Sequence, residues 1–226
     1  MIPTIFFIFS LLSLSHASLV VDFCVADYTA PNGPTGYSCK SPKDVTVDDF
    51  VFHGLNSSGT LNIFNSSVGF AFDSQFPGLN GLGITIGRLD FGVGGVIPLH
   101  THPRASEQIV VIEGTILAGF VSTDNVDNVA YIKTLNKGDV MVFPQGLLHF
   151  QINVGDSNAL AFVALGSSNP GIQTFDLALF KSDISTSIIT ATTLLDATIV
   201  NKLKGVFGGS GLNYVVDHES ARNMQY

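Results

Sequence analysis

The stretch from Leu82 to about Ser167 constrains the fold most, because it alternates short β-rich runs with turn residues. The runs are LGITIGRLDF, GGVIPLHTH, QIVVIEGTILAGFVS, VAYIKTL, DVMVFP, HFQINV and ALAFVALG. Strands spaced about ten residues apart, with Gly, Asn or Asp between them, predict an all-β sandwich or barrel. Hairpin reversals are predicted at 113–114 (Glu-Gly), 136–139 (Asn-Lys-Gly-Asp) and 155–156 (Gly-Asp).

The composition agrees with a large core rich in strands. Of the 226 residues, 46% are apolar and 12% are charged, while Gly (23) and Phe (18) are abundant. The charged share is about half the usual quarter. The net charge of −8, with 10 Lys and Arg in total, argues against binding the phosphate backbone of a nucleic acid, which needs clustered basic residues. We therefore expect no nucleic-acid partner.

Residues 1–17 are predicted to be a cleaved signal peptide. An apolar run from Ile5 to Leu14 is followed by Ser15-His16-Ala17, a small-x-small cleavage pattern, although no Lys or Arg precedes the run. The alternative is a membrane anchor, but the run is shorter than the ~20 apolar residues that span a bilayer. Since no later segment of that length is apolar without interruption, the mature chain is expected to be secreted and to lack a membrane span.

Residues 18–60 are predicted to form an N-terminal arm closed by a disulfide. Cys24 and Cys39 are the only cysteines, and such a pair in an oxidising compartment most often forms a bridge. One bridge closing this turn-rich loop would contribute about 3 kcal/mol. A thiol or zinc site is the alternative, but two cysteines without nearby histidines make a poor zinc ligand set. Asn56 and Asn65 begin two Asn-Ser-Ser sequons, so we expect a surface position and glycosylation of at least one.

The chain changes character after the predicted barrel, which spans residues 61–170. Apolar residues then recur close to a helical period, at Leu195, Ile199, Val200, Leu203 and Phe207. With Gly205 and Gly208 as stop signals, this pattern predicts two short helices within residues 171–208, packed on the barrel or on a neighbouring subunit. Residues 209–226 are predicted to be a flexible linker followed by a polar tail.

Three histidines and one glutamate form a candidate set of metal ligands. His100, His102 and Glu107 lie within eight residues, and His149 follows some forty residues later. Successive side chains on a strand alternate faces, so His100 and His102 point to the same side and can share one ion. Ordinary polar residues at a sheet edge are the alternative, but a glutamate and a third histidine between turn-bounded strands favour the metal.

The candidate ligands lie in two segments that resemble the two cupin boxes of germins and germin-like proteins: Gly94-x5-His100-Thr-His102-x4-Glu107-x6-Gly114 and Gly138-x5-Pro144-x-Gly146-x2-His149-x3-Asn153. The segments DFCVAD, GYSC, FPGLNGLGITIGRLDF and SSNPGIQ extend the resemblance over nearly the whole mature chain. The segments VADY, KGD and TTLLD resemble the branch described as auxin-binding.

This resemblance implies a single cupin β-barrel, or jelly roll, whose C-terminal helices clasp neighbours into dimers and then a hexamer, a trimer of dimers. It also implies one Mn²⁺ ion per subunit, held by His100, His102, Glu107 and His149. The donor chemistry leaves the metal open, because Fe, Co, Ni or Zn would bind the same atoms. The expected location is the apoplast or cell wall of a plant.

Two reactions fit the family that the chain resembles. Superoxide dismutation needs an ion that cycles between two oxidation states and a route for protons. Oxalate oxidation also needs groups that hold a dicarboxylate, and germins with this activity have two asparagines near the metal associated with substrate binding. Asn80 matches the first and is a predicted substrate-channel residue, whereas Gly87 stands at the second. Because losing a hydrogen bond to a charged group costs about 1.5–3 kcal/mol, superoxide dismutase is ranked above oxalate oxidase.

Other classes of function stay open. A metal in an apolar barrel could bind an aromatic carboxylate such as auxin without turnover, and a wall-associated structural or defence glycoprotein needs no catalysis. Lys137-Gly138-Asp139 resembles an adhesion tripeptide, but its position between two strands predicts a turn. His53 and His218 lie outside the ligand set and are predicted to be surface residues.

Overall fold

A computed structural model of the chain describes residues 21–211. The predicted signal peptide, His218 and residues 212–226 of the predicted tail lie outside the described residues. Within 21–211, no helix combines the length and the apolar character that crossing a bilayer requires.

Two five-stranded antiparallel sheets face each other and form the barrel. The strands are β1 (Ser66–Phe70), β2 (Thr85–Phe91), β3 (Val96–Thr101), β4 (Glu107–Glu113), β5 (Thr115–Val121), β6 (Ala130–Asn136), β7 (Val140–Phe143), β8 (His149–Asn153), β9 (Ala159–Leu165) and β10 (Gln173–Thr174). Sheet A has the order β1-β2-β9-β4-β7, and sheet B has the order β10-β3-β8-β5-β6. The predicted all-β barrel is confirmed. All the β-rich runs form strands, and β1 and β10 add to them.

The core fills the space between the two sheets. On β2, β4 and β9, alternate side chains are buried, as the pleat of a strand requires. The core members from both sheets include Leu89, Phe91, Ile97, Ile109, Val111, Ile116, Leu135, Phe143, Val163 and Leu165. Fully burying one such side chain contributes about 1.5–3 kcal/mol, so this cluster holds the sheets together.

The turns predicted as hairpins connect different sheets instead. Gly114, at a φ of 81°, joins β4 of sheet A directly to β5 of sheet B. The turn at 136–139 carries the chain from sheet B back to sheet A, and so does the turn at 155–156. The hairpin prediction is therefore wrong at these three positions, although the turns themselves are present. Turn residues mark where a chain reverses, but they do not reveal which strand becomes the hydrogen-bonded neighbour.

The N-terminal arm contains the predicted disulfide between Cys24 and Cys39, 15 residues apart in sequence. The alternative of a thiol or zinc site at these cysteines is therefore excluded. Short 3₁₀ turns occur at Pro42–Asp44, Val47–Phe50, Pro77–Leu79 and Asp124–Val126. His53 and the sequon residues Asn56 and Asn65 are exposed, as expected.

The C-terminal part of the described chain forms three α-helices, not two: α1 (Phe175–Phe180), α2 (Thr186–Thr193) and α3 (Ala197–Phe207). They share a small core of their own around Phe180, Ile189 and Val200. Gly208 ends α3 with a φ of 76°, as predicted, whereas Gly205 lies inside the helix. The prediction that Gly205 is a stop signal is wrong, because helix packing on the core outweighs the weak helix propensity of one glycine.

Residues 209–211, at the start of the predicted flexible linker, pack against the turn between α1 and α2. A Cβ atom on Gly209 would lie 2.1 Å from the carbonyl oxygen of Phe180. The buried ammonium of Lys204 donates to the carbonyl oxygens of Ser182 and Ser210. These contacts hold the end of the described chain against the turn between α1 and α2, and glycine is required for the close approach.

Candidate metal centre

The barrel brings the four predicted ligands together between its sheets. His100 on β3 and His149 on β8 are direct cross-strand partners in sheet B. Glu107 is the first residue of β4 in sheet A, and His102 follows β3. One potential ligand atom from each residue lies within 4.8 Å of all the others. The four side chains are 1 to 6% exposed, so they face one another in the interior.

A β-bulge in β3 sets the direction of His100. Ile97 pairs with Gln151 and His100 pairs with His149, so β3 has one more residue than β8 over this interval. In a regular strand two residues three positions apart, such as Ile97 and His100, would point to opposite faces, and the bulge lets both point to the same one. Both are buried. Pro98, which cannot donate to a ladder, lies within the irregular segment and was the signal in the sequence for a bulge.

Backbone carbonyl groups fix the tautomer of all three histidines. The Nδ1 atom lies 2.9 Å from Pro98 O in His100, 2.6 Å from Gly171 O in His102 and 2.8 Å from Leu147 O in His149. A carbonyl oxygen only accepts, so each Nδ1 carries the proton. In a neutral imidazole the lone pair then resides on Nε2, which is the form that binds a metal.

The arrangement of the donor atoms suits coordination of a cation better than hydrogen bonding among the four side chains. His102 Nε2 and Glu107 Oε2 are 2.7 Å apart, and His149 Nε2 is 3.6 Å from the same oxygen. Despite this closeness, neither buried Nε2 makes a hydrogen bond of acceptable geometry. With the proton on Nδ1, lone pairs face a carboxylate unless a positive charge lies between them. Donors across a divalent ion are about 4–5 Å apart, twice a usual metal–ligand distance, so the observed spread suits one ion.

Burial keeps the site in a protonation state suited to a metal. Burial, followed by the effect of His149, lowers the pKa of His100 from 6.5 to about 4, so this imidazole is neutral at pH 7. Burial alone would raise the pKa of Glu107, but the neighbouring imidazoles of His102 and His149 outweigh it and lower the pKa to about 2. The His100 imidazole is therefore neutral and the Glu107 side chain is an ionised carboxylate where they face the common point.

A cavity of about 320 Å³ leads to the site. Apolar side chains form most of its wall: Phe64, Val68, Phe70, Leu89, Ile97, Pro98, Val163, Ile172 and Leu177. Among the described residues that line it, Glu107 is the one carboxylate and none is Lys or Arg. Ile172 and Leu177 are 44% and 38% exposed, so the cavity reaches the surface near α1.

Gln151 is a cavity residue that the sequence analysis missed. It is fully buried, its Nε2 donates to Glu107 Oε1 at 3.5 Å, and its Oε1 has no partner in the described chain. His149, Gln151 and Asn153 occupy alternate, buried positions of β8. Three polar residues on the inward face of one strand were the signal that could have revealed it.

The structure does not bring Asn80 to the cavity. Its Nδ2 donates to Tyr37 O at 2.9 Å and to Cys24 Sγ at 3.3 Å, and its Oδ1 accepts from Tyr37 N at 3.2 Å. Asn80 is therefore occupied in holding the N-terminal arm, and within this chain it is not among the described residues that line the cavity. The predicted substrate-channel role has no support from its contacts.

Gly87 lies beside the cavity wall, and its missing side chain is replaced by that of Phe70. These two residues are directly opposite on β2 and β1. A Cβ atom on Gly87 would lie 2.6 Å from Phe70 Cδ1 and 2.9 Å from Val163 Cγ2. Phe70 and Val163 both line the cavity, so an apolar surface occupies the space that an asparagine at this position would need.

Comparison with known proteins gives consistent matches. Residues 53–201 match the cupin family model. The chain is 60% identical over 209 residues to auxin-binding protein ABP19b of Prunus persica, covering 92% of this chain and 98% of that protein. It is 57% identical over 212 residues to a germin-like protein of Morus alba, covering 93% of this chain and all of that protein.

Among solved structures, recombinant oxalate oxidase in complex with glycolate superposes with a TM-score of 0.82 at 36% sequence identity. The match covers 87% of this chain and 100% of that one.

Proposed function

Since the chain belongs to the cupin family, and within it to the germin-like proteins, we propose that it is a secreted manganese-binding glycoprotein with superoxide dismutase activity. The observation that carries this proposal is the convergence of three unprotonated Nε2 atoms and one carboxylate at the end of a cavity open to solvent. When bound, manganese supplies one-electron chemistry between two oxidation states. The described residues hold the ion, set its charge and control what reaches it.

The donor set supports manganese without requiring it. Three imidazoles and one carboxylate leave two positions of an octahedral ion free for solvent or substrate, which suits Mn(II). Fe, Co, Ni and Zn bind the same donors, and the affinity order alone favours the later metals. Availability in the secretory pathway would then decide which ion is acquired.

The charge of the site favours a small anion with one negative charge. A divalent ion with Glu107 has a net charge of about +1 in an apolar cavity whose described wall contains no Lys or Arg. Superoxide would neutralise this charge, whereas oxalate would leave an uncompensated negative charge, which is costly in a poorly solvated site. Phe70 also fills the space of the second asparagine that oxalate oxidation is associated with. We therefore propose dismutation over oxalate oxidation.

Dismutation takes two superoxide ions and two protons to oxygen and hydrogen peroxide. Protons reach the site from solvent through the cavity. The amide of Gln151 orients Glu107 through its 3.5 Å contact and leaves its own Oε1 available to a water molecule. Protons and the small product therefore share one route, through the cavity, and no further acid or base is needed.

Secretion to the apoplast or cell wall is proposed from residues 1–17 and supported by the disulfide, which suits an oxidising compartment. Asn56 and Asn65 are both exposed, although Asn65 Nδ2 also donates to Val93 O at 2.9 Å, and we propose a glycan on at least one of the two sequons. Exposed apolar side chains on sheet A, such as Val140 (53%) and Val142 (56%), and on the C-terminal helices support the hexameric trimer of dimers. Light scattering coupled to size-exclusion chromatography tests the oligomer.

Elemental analysis and direct measurement of superoxide decay test the proposal together. Protein from its secretory source should contain about one manganese per chain and accelerate superoxide decay beyond the same concentration of free Mn(II). His102→Ala should lose both the metal and the activity. His53→Ala is the matched control, because His53 is exposed and outside the ligand set. Stoichiometric metal in His102→Ala would reject the ligand assignment, and activity no higher than free Mn(II) would reject the enzyme.

Binding of an aromatic carboxylate is the second candidate function, because the cavity wall is mostly apolar and large enough at about 320 Å³. The relative named auxin-binding protein is consistent with it. Calorimetric titration of the manganese-loaded protein with indole-3-acetate tests this candidate. Micromolar binding without dismutation above free Mn(II) would replace the enzymatic function with a binding function.

A further inference from the structure

The three Nδ1 acceptors differ in how far along the chain they lie. His100 and His149 each use the carbonyl of the residue two positions earlier, so their acceptors come with the local backbone. His102 uses Gly171 O, which is 69 residues away in sequence. The orientation of His102 therefore depends on the segment between β9 and β10, residues 166–172, which we call the 166–172 loop.

Arg104 holds this loop at two successive residues. Its guanidinium donates from Nε to Asn169 O and from Nη2 to Asn169 Oδ1, both at 2.8 Å, and its backbone N–H donates to Pro170 O at 3.0 Å. Gly171 follows immediately with a φ of 68°, and a Cβ atom there would lie 3.0 Å from Arg104 Nη2. The guanidinium is thus packed against the residue whose carbonyl accepts from His102.

The chemistry of the contact requires an arginine. Two parallel donors in a planar fork match the carbonyl and side-chain oxygens of Asn169, and a lysine ammonium would satisfy one of them at a time. The side chain of Arg104 is exposed, so it is not needed to fill the core. A side-chain contact that packing does not require, placed two residues before the acceptor of a metal ligand, points to a role at the metal.

We propose that Arg104 is a positioning residue that, through Asn169 and Gly171, fixes the Nδ1–H tautomer and the ring direction of His102. This inference rests on the proposed metal site. Removing partners that orient metal ligands typically costs 10–100-fold in metal affinity. Because Arg104→Ala leaves the Gly171 carbonyl in place, we expect a loss at the lower end, about tenfold.

The test follows the individual Nδ1 protons by NMR of ¹⁵N-histidine-labelled full-length protein loaded with diamagnetic Zn²⁺. In Arg104→Ala the His102 Nδ1 proton should exchange with water at least about tenfold faster, while those of His100 and His149 keep their rates. A general loosening of the fold would accelerate all three protons. Affinities for Zn²⁺ and Mn²⁺ are measured on the same variants, with Arg104→Lys expected to restore part of the loss.

Asn169→Ala and Arg88→Ala complete the design. Asn169→Ala removes the side-chain oxygen that accepts from Arg104 and should likewise accelerate exchange of the His102 proton. The double variant should exchange this proton no faster than Arg104→Ala alone. Arg88 forms a comparable two-point hydrogen-bonded contact with Asp90 through Nε and Nη2 and does not contact the 166–172 loop. Arg88→Ala should therefore leave the exchange rate of the His102 Nδ1 proton unchanged. Equal acceleration of all three protons, an unchanged His102 proton, or the same effect in Arg88→Ala would overturn the proposal.

The same experiment separates this inference from the metal site itself. If the wild-type chain binds neither ion stoichiometrically, the proposed function fails, while Nδ1 exchange in the metal-free protein still tests whether Arg104 holds His102. If the wild-type chain binds metal and the Arg104 variants behave like it, only the positioning role fails. Asn169→Ala provides the result should Arg104→Ala not fold.

Discussion

Replacing Gly87 with asparagine should destabilise the protein and should not create oxalate oxidase activity. The new Cβ atom would lie 2.6 Å from two ring carbons of Phe70 and 2.9 Å from Val163 Cγ2, whereas carbon atoms prefer about 3.5–4.0 Å. Gly87 is in the middle strand of three paired strands, so the backbone cannot retreat. Overpacking of this kind costs about 1–3 kcal/mol in the free energy of unfolding.

Phe70→Ala should relieve the clash. Phe70 is partly buried and stacks on Phe72 with ring centroids 4.6 Å apart. A fully buried Phe→Ala change costs about 3–5 kcal/mol, so about half of that is expected here. In the double variant Gly87→Asn/Phe70→Ala the clash with Phe70 is absent and only the 2.9 Å approach to Val163 Cγ2 remains. The total destabilisation should therefore be smaller than the sum of the two single changes by about 1–2 kcal/mol.

Denaturant unfolding of the metal-free variants measures this coupling, and hydrogen peroxide formed from oxalate by the manganese-loaded variants measures the activity. Only the double variant is expected to gain oxalate-dependent peroxide, because only there can the amide reach the cavity. Ile86→Asn is the matched control, since it adds the same side chain on the neighbouring, 45% exposed position. Gly87→Asn with wild-type stability, or with oxalate oxidation of its own, would refute the argument.

Three further predictions concern stability. Cys39→Ser should lower the free energy of unfolding by about 3 kcal/mol, and a wild-type chain insensitive to reductant in denaturant unfolding would contradict this value. Gly209→Ala should destabilise the protein by about 1–3 kcal/mol, because the new Cβ atom would meet Phe180 O. Gly205→Ala should stabilise α3 by about 0.5–1 kcal/mol, because no atom lies within 4 Å of the new Cβ atom. Thermal melts that rank the two variants the other way would contradict this packing. The metal-free protein should lose stability as the pH falls from 6.5 to about 4, because the pKa of His100 is lowered to about 4 when folded and the unfolded chain takes up the proton first; a flat profile would contradict it.

Most strands of the barrel could be predicted because their local sequence identifies them. They are short runs rich in β-branched, aromatic and other apolar residues, and they lie between clear turn residues. β1 has the sequence SSVGF and β10 the sequence QT, which carry little such pattern, and both exist because a neighbouring strand supplies hydrogen bonds. Sheet membership was not predictable, since each turn looks the same whether the next strand pairs in the same sheet or in the opposite one.

Glycine shows most clearly where sequence patterns stop being informative. Gly205 and Gly209 look equivalent as helix breakers or linker residues, yet one lies inside α3 and the other is pressed against Phe180 O. The difference arises from tertiary contacts of the buried Lys204 and the small helical core. Because glycine has no side chain, the sequence does not show which glycines are required by close tertiary contacts.

The four candidate ligands were predictable because their spacing is itself the chemical signal. The residues that support them were not, with one exception. The bulge at Pro98 provides the acceptor for His100 within the same short segment, so it could have been inferred. Phe70 and Arg104 act on positions close in space but remote in sequence, and their side chains are ordinary for an edge strand and a loop.

Charge and wall chemistry together define what this cavity can accept. One carboxylate among the donors leaves a divalent ion with a net charge of about +1, so the first requirement for an inner-sphere ligand is a single negative charge. Superoxide and an aromatic carboxylate both meet it, whereas the oxalate dianion needs a further hydrogen-bond donor, such as the amide that is missing at Gly87. The apolar wall adds nothing for superoxide beyond a poorly solvated site, but each aromatic carbon buried against Phe70 or Val163 would contribute to binding an aromatic ligand. An aromatic acid that fits would therefore inhibit dismutation by occupying the same open position, so the two candidate functions exclude each other at the ion.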